Sequence, residues 1–335
     1  MREPAFWRRP SSLLSRLLVP VGALYGAIAA RRMAQPGTQA GVPVICIGNY
    51  HVGGAGKTPT VLALAGILRT LRETPVVLSR GYGGRLAGPV QVDPQKHTAA
   101  DVGDEPLMMA KTLPVIVSRE RSAGLAPACA SGTSVILMDD GFQNPAVAKD
   151  VSLIVIDSDR GIGNGQVLPA GPLRAPLSPQ LARTDGLVIV GSGTAADDVG
   201  VRVSAQGGLV LRAKLKPDES SVAALRGRRI YAFAGIGDPR RFFRSLRACG
   251  IEVARERVFA DHHPFSQGEV AELQAAAERD GLTLVTTEKD LARLRTTDGL
   301  AAFARTVVPF AVTLRFDDES ALQAFLTERL ARARR

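Results

Sequence analysis

The run Ile47-Gly48-Asn49-Tyr50-His51-Val52-Gly53-Gly54-Ala55-Gly56-Lys57-Thr58-Pro59 constrains this chain more than any other stretch. Residues 42–47 before it are short, apolar and β-branched, which predicts a buried strand, and residues 61–71 after it carry apolar side chains at helical spacing. A glycine-rich turn between strand and helix lets backbone N–H groups face a polyphosphate, because glycine accepts unusual dihedrals and leaves no side chain in the way. The helix N-terminus adds partial positive charge. Gly53, Gly54, Ala55 and Gly56 are therefore the expected phosphate cradle, Lys57 the side chain that reaches the β- and γ-phosphates, and Thr58 the hydroxyl that ligates Mg²⁺. One position departs from the usual pattern: His51 stands where a glycine precedes the lysine by six residues. The competing reading is a flexible turn with an incidental Gly-Lys-Thr.

Further strands are predicted at 74–79, 115–117, 134–138, 151–156 and 186–190, alternating with helical or loop segments, so a mostly parallel sheet with helices on both faces is expected. Several strands end in polar loops, which is where open α/β sheets bind ligands. The strand at 134–138 delivers Asp139-Asp140-Gly141-Phe142-Gln143, acidic residues placed to hold Mg²⁺ beside a phosphate-binding loop. Val102-Gly103-Asp104-Glu105-Pro106 is turn-like and leads into an apolar helical run, so Asp104 is read as a helix N-cap or as a working acid. Residues 168–177 hold three prolines and read as an ordered surface loop.

Small polar residues around 191–200 mark the expected domain boundary. The division is thus 1–35 as a separate N-terminal segment, 36–200 as the phosphate-loop domain and 201–335 as a smaller α/β domain. In that last part Gly235-Ile236-Gly237-Asp238 reads as a strand-to-helix turn, since a dinucleotide fingerprint needs a third glycine it lacks. Asp261-His262-His263 suits acid–base work better than metal binding, because adjacent side chains diverge and no third ligand is spaced for it.

The first thirty-odd residues are different in kind. Arg8 and Arg9, then an apolar segment interrupted by Arg16 and Pro20, then Arg31-Arg32, fall short of a bilayer span and suit a helix lying on anionic lipid, with Phe6, Trp7 and Tyr25 as interfacial aromatics. A secretory signal and an amphipathic helix packed on its own domain are the other readings.

The phosphate loop, Ser79-Arg80-Gly81-Tyr82-Gly83, Val102 to Pro106, Asp139 to Gln143, residues 168–174 and Asp261-His262-His263 occur in this order, and together they resemble the tetraacyldisaccharide 4'-kinases, the lipid A 4'-kinases of bacterial inner membranes. The resemblance implies an α/β P-loop kinase with a smaller C-terminal domain, moving the γ-phosphoryl of ATP to the 4'-hydroxyl of an acylated disaccharide 1-phosphate to give lipid IVA. It implies ATP and Mg²⁺ as cofactors, with Thr58, Asp139 and Asp140 around the metal. It implies Asp104 as base with His262 as its partner from the other domain, His263 being the poorer candidate. It places the protein as a peripheral or monotopic enzyme on the cytoplasmic face of the inner membrane. Its partners would be the lipid substrate and an anionic membrane surface, with no protein partner implied. Where the family pattern continues the 168–174 loop with Glu, this chain has Ala175, so no carboxylate role is carried over.

Composition narrows the alternatives. The charge of +10 from 42 basic and 32 acidic residues fits nucleic acid, lipid or phosphorylated substrates alike, but aromatics at 5% and the lack of a stacking or zinc motif argue against nucleic acid. Three separated cysteines indicate neither a disulfide framework nor a zinc site. A membrane-bound switch ATPase would carry an earlier lysine in the glycine loop, where this chain has Val52, and a kinase for a soluble acceptor leaves the apolar N-terminus unexplained.

Overall fold

The computed structural model describes residues 4–8, 12–130 and 132–335; Arg9, expected among the basic residues flanking the N-terminal segment, lies outside them. Thirteen strands form among the described residues: β1 (Val44–Gly48), β2 (Pro75–Ser79), β3 (Val90–Gln91), β4 (Val115–Val117), β5 (Val135–Asp139), β6 (Val151–Asp157), β7 (Gly186–Val190), β8 (Leu209–Pro217), β9 (Arg229–Ala234), β10 (Glu252–Val258), β11 (Thr283–Thr287), β12 (Val308–Phe310) and β13 (Val312–Phe316). Nine of them make one sheet in the order β13-β8-β7-β6-β1-β5-β2-β4-β3. Its seven central strands run parallel, and β13 and β3 close the two edges antiparallel. Strands β1, β2, β5, β6 and β7 are buried along their whole length, as apolar runs covered on both faces must be.

The other four strands form a separate parallel sheet, β10-β9-β11-β12, with apolar clusters on both of its faces. Sheet membership redraws the division expected at residue 200. That point falls inside the helix Asp197–Ala205, and β8, β13 and the terminal helix Glu319–Ala333 all belong to the large body. Leu322, Leu326 and Leu330 of the terminal helix join the core beneath the large sheet, so the chain leaves this body after β8 and returns to it at β13.

The N-terminal segment forms a single helix, α1 (Leu13–Met33), capped by Ser12, whose side chain accepts from Ser15 N; Pro20 lies on its exposed side and does not end it. Contrary to the expectation from its interruptions, α1 is long and apolar enough to cross a membrane by length and composition. Its inward face is small: Ser15, Gly22, Gly26 and Met33 are buried, while Leu13, Leu17, Leu24 and Ile28 are exposed by 81, 77, 67 and 53%. The glycines let the helix seat against residues 167–176; a methyl group on Gly22 would stand 2.9 Å from Val167 O, and one on Gly26 3.1 Å from Pro176 Cγ. Ser15 Oγ donates to Ala170 O at 2.8 Å, and Trp7 Nε1 to Pro169 O at 3.0 Å. Trp7 is thus buried against protein, not presented to an interface, and the proline-rich loop expected at the surface is covered, with Ala170, Leu173 and Ala175 buried.

Candidate active site

The glycine-rich turn connects β1 to helix α2 (Lys57–Thr70) at the carboxyl edge of the large sheet. Gly53 and Gly56 have φ of 109° and 92°, conformations open to glycine, whereas His51 is not among the positive-φ residues. Glycine is therefore dispensable at 51. Instead His51 bridges to Leu173, and Val52 N donates to Pro172 O at 2.9 Å, so the covered loop braces the turn from outside. Tyr50 is fully buried, with its hydroxyl 2.7 Å from Thr184 Oγ1. From inside the turn, Asn49 Nδ2 donates to Gly53 O at 3.1 Å and Gln143 Nε2 donates to Asn49 O at 2.7 Å. The turn Gly235 to Asp238, which does join β9 to a helix, faces the cradle from the smaller sheet: a Cβ on Gly237 would lie 3.7 Å from Gly54 N.

Beyond the cradle lie the two aspartates at the end of β5. Asp140 takes a left-handed backbone (φ 49°) and spends both oxygens on cations, Oδ1 on Arg174 Nη1 at 2.9 Å and Oδ2 on Arg174 Nη2 at 3.2 Å, with Lys57 Nζ at 3.7 Å. Burial pushes its carboxyl up, but Lys57 and Arg174 outweigh burial and hold it at about 2. Asp139 is different. It accepts from Ser79 Oγ on Oδ2 at 3.2 Å, while Oδ1 is buried without a partner. Burial first, then the charges of Glu105 and Asp140, lift its pKa to about 7. A buried orphan oxygen pressed by neighbouring carboxylates is what a divalent cation would relieve. Thr58, the first-turn residue beside Lys57, is 2% exposed. Among the described residues no three acidic, imidazole or thiol groups converge as a metal cage.

Asp104 opens helix α4 (Asp104–Met109), which follows the short α3 (Ala99–Val102); Gly103, at φ 91°, is the cap residue, so the N-cap role read for Asp104 belongs to its neighbour. Asp104 is 4% exposed. Its Oδ1 accepts from Glu105 N at 3.0 Å, and its Oδ2 from His262 Nδ1 at 3.1 Å and from Arg293 Nη2 at 2.6 Å. His262, in a left-handed conformation (φ 57°), is tied by its N–H to Gly235 O at 3.0 Å and flanked by the Tyr82 ring at 5.5 Å. His263 turns away to Glu269. Burial raises the Asp104 pKa, yet the His262 hydrogen bond and the charges of His262, Lys289 and Arg293 together depress it strongly. The same hydrogen bond raises the His262 pKa against the opposing effect of burial.

Sequence reasoning missed the groups that hold this pair. Arg293 also donates to Asp290 Oδ1 and His263 O, both at 3.0 Å, and Lys289 contacts Glu105; both cations come from the helix Glu288–Thr296, which packs on α3 and α4. The available signal was Glu288-Lys289-Asp290 directly after an apolar strand, a charged run that reads as a solvated helix start.

Comparison with known proteins gives a consistent result. A family model described as tetraacyldisaccharide-1-P 4'-kinase matches residues 14–331. The chain is similar to the tetraacyldisaccharide 4'-kinase of Nitrobacter hamburgensis, 78% identical with 100% of both chains covered. It is also similar to that of Rhodopseudomonas palustris strain BisB18, 69% identical over 100% of this chain and 97% of the relative. Among solved structures it is similar to the "apo" form of LpxK from Aquifex aeolicus in complex with ATP, with a TM-score of 0.71 and 26% identity over 95% of this chain and 100% of that one.

Proposed function

The chain belongs to the tetraacyldisaccharide-1-P 4'-kinase family, and from that membership we propose how its own residues carry the reaction. The enzyme is an ATP-dependent kinase of lipid A biosynthesis that phosphorylates the 4'-hydroxyl of a tetraacyldisaccharide 1-phosphate, forming lipid IVA.

ATP binds with its phosphates on the amides of 53–56 and on Lys57. Phosphoryl transfer is governed by alignment and charge, so these groups hold the γ-phosphorus in line with the attacking oxygen and neutralise its oxygens. The O–P bond to the sugar forms, the bond to ADP breaks, and the hydroxyl proton passes to the Asp104–His262 pair. The imidazole, made more basic by the carboxylate, is its resting place. Arg293 and Lys289 keep Asp104 ionised throughout. Asp139, with Thr58, would hold Mg²⁺, which supplies charge neutralisation at the phosphates; Asp140 serves instead to fix Lys57 and Arg174. Because Asp104 and His262 come from bodies built on separate sheets, catalysis requires the two bodies to be closed on each other.

The exposed apolar side of α1 supports peripheral binding to an anionic membrane, on the cytoplasmic face where ATP is available. The observation that carries the proposal is the 3.1 Å contact of His262 with Asp104 beside the cradle. Transfer of labelled γ-phosphate to the tetraacyl disaccharide 1-phosphate in detergent micelles tests it. Asp104→Ala is expected to cost roughly 10²- to 10⁴-fold in kcat; an unimpaired variant removes the mechanism and leaves the function.

A further inference from the structure

Strands β9 and β11 are parallel neighbours in the four-stranded sheet, so their exits emerge side by side at its carboxyl edge. One exit is Gly235, the other the helix Glu288–Thr296, whose third residue is Asp290. An acid in the first turn of a helix ordinarily answers the helix dipole from the surface, a role that needs no burial. Asp290 is 0% exposed. Its carboxylate is spent on three groups: Oδ2 accepts from Gly235 N at 3.0 Å and Thr287 Oγ1 at 2.8 Å, and Oδ1 accepts from Arg293 Nη1 at 3.0 Å.

Two of those bonds lead to the Asp104–His262 pair. Gly235 O accepts from His262 N at 3.0 Å, and Gly235 is tightly enclosed, since a Cβ there would stand 3.1 Å from Ala260 O and 3.2 Å from Asp290 Oδ1. Arg293 Nη1 also donates to His263 O at 3.0 Å, and its Nη2 to Asp104 Oδ2 at 2.6 Å. One buried carboxylate thus fixes the backbone that carries the imidazole and the cation that holds the imidazole's partner. His262 needs such bracing, because its left-handed φ of 57° is unfavourable for a residue with a Cβ.

We propose that Asp290 is a positioning residue for phosphoryl transfer, acting through Gly235 and Arg293 to hold the His262 imidazole against Asp104. The inference rests on the reading of that pair as the acceptor of the hydroxyl proton. Misplacement of an acid–base group lowers the rate of the chemical step while leaving the nucleotide cradle intact.

Steady-state kinetics in detergent micelles on Asp290→Asn, Arg293→Met and the double variant tests this. Asp290→Asn keeps the side chain's shape and removes its charge. It is expected to lower kcat roughly 10- to 100-fold with KM for ATP unchanged, and to cost less in the Arg293→Met background than in the wild type, because part of its action runs through Arg293. Wild-type kcat overturns the proposal, and so does an equal loss in both backgrounds accompanied by a raised KM for ATP, the pattern of a general structural defect. Should Asp290→Asn not fold, Thr287→Val decides: it frees one bond on the same carboxylate and leaves the charge. That variant is expected to lose roughly 2- to 5-fold in kcat with KM for ATP unchanged, and an unaltered kcat overturns the proposal. Asp104→Ala, assayed alongside, separates the two readings. If it is unimpaired, the reading of the pair falls; if it is impaired while Asp290→Asn is not, only the role of Asp290 falls.

Discussion

His262 Nδ1 and Asp104 Oδ2 stand 3.1 Å apart although one follows a strand of the four-stranded sheet and the other opens a helix of the nine-stranded body. The contact ties the two sheets to each other, and its titration is linked to the stability of the fold. The pKa of His262 is raised above its usual value of about 6.5. The contact therefore stabilises the fold fully below that value, and the contribution is lost as pH climbs through the raised folded pKa. Asp104 is depressed, so its contribution is present above the unfolded value of about 3.9 and is lost only in strong acid. Thermal melts of the wild type are expected to lose stability as pH rises above about 6.5, and His262→Gln to lack that component. Equal slopes in both proteins would contradict the linkage.

Arg293 ties Asp104 to Asp290 from a site only 8% exposed. Removing one member of a buried ion pair strands the other, at about 3–5 kcal/mol. Arg293→Met is expected to lower the urea midpoint accordingly and to cut kcat, with Arg293→Lys restoring part of both. A variant as stable as the wild type would show that the clamp is dispensable.

Asp139 and Asp140 are adjacent but unlike. Asp139→Ala is expected to raise the Mg²⁺ concentration needed for half-maximal rate by at least about tenfold. Asp140→Ala should chiefly raise KM for ATP, because Lys57 and Arg174 lose their anchor. Titration of activity with Mg²⁺ after chelator treatment decides between them, and a reversed pattern would move the metal to Asp140.

The two sides of α1 are separable. Leu17→Glu with Leu24→Glu removes exposed apolar surface and is expected to abolish vesicle flotation without moving the melting temperature. Gly22→Leu crowds Val167 O, costs about 1–3 kcal/mol of docking, and is expected to retain flotation while lowering kinase activity through the loop that carries Arg174. Loss of flotation in Gly22→Leu alone would reverse the two faces.

Much of the large sheet was legible, because strands buried on both faces read as continuous apolar runs: 115–117 and 186–190 coincide with β4 and β7 to the residue. The charged edge strand β10, Glu-Val-Ala-Arg-Glu-Arg-Val, was not, since an edge exposed on both faces has no apolar period to detect. Nor was the return of β13 to the large sheet, because a strand of five residues carries no mark of the sheet it joins.

The sequence by itself offered candidates: a glycine-rich turn ending in Lys57-Thr58 and a carboxylate pair after an apolar strand, read from local spacing, and an acid at 104 with an imidazole at 262, whose pairing the family resemblance implied. Local spacing sets backbone conformation and the order of side chains along one element. Tertiary structure decided the division of labour. Asp140 went to cations and Asp139 kept an open oxygen because Arg174 arrives from a loop 34 residues away. Asp104 acquired Arg293 across 189 residues of chain. Burial and long-range charge set those roles, and neither is a property of the residues within a few positions.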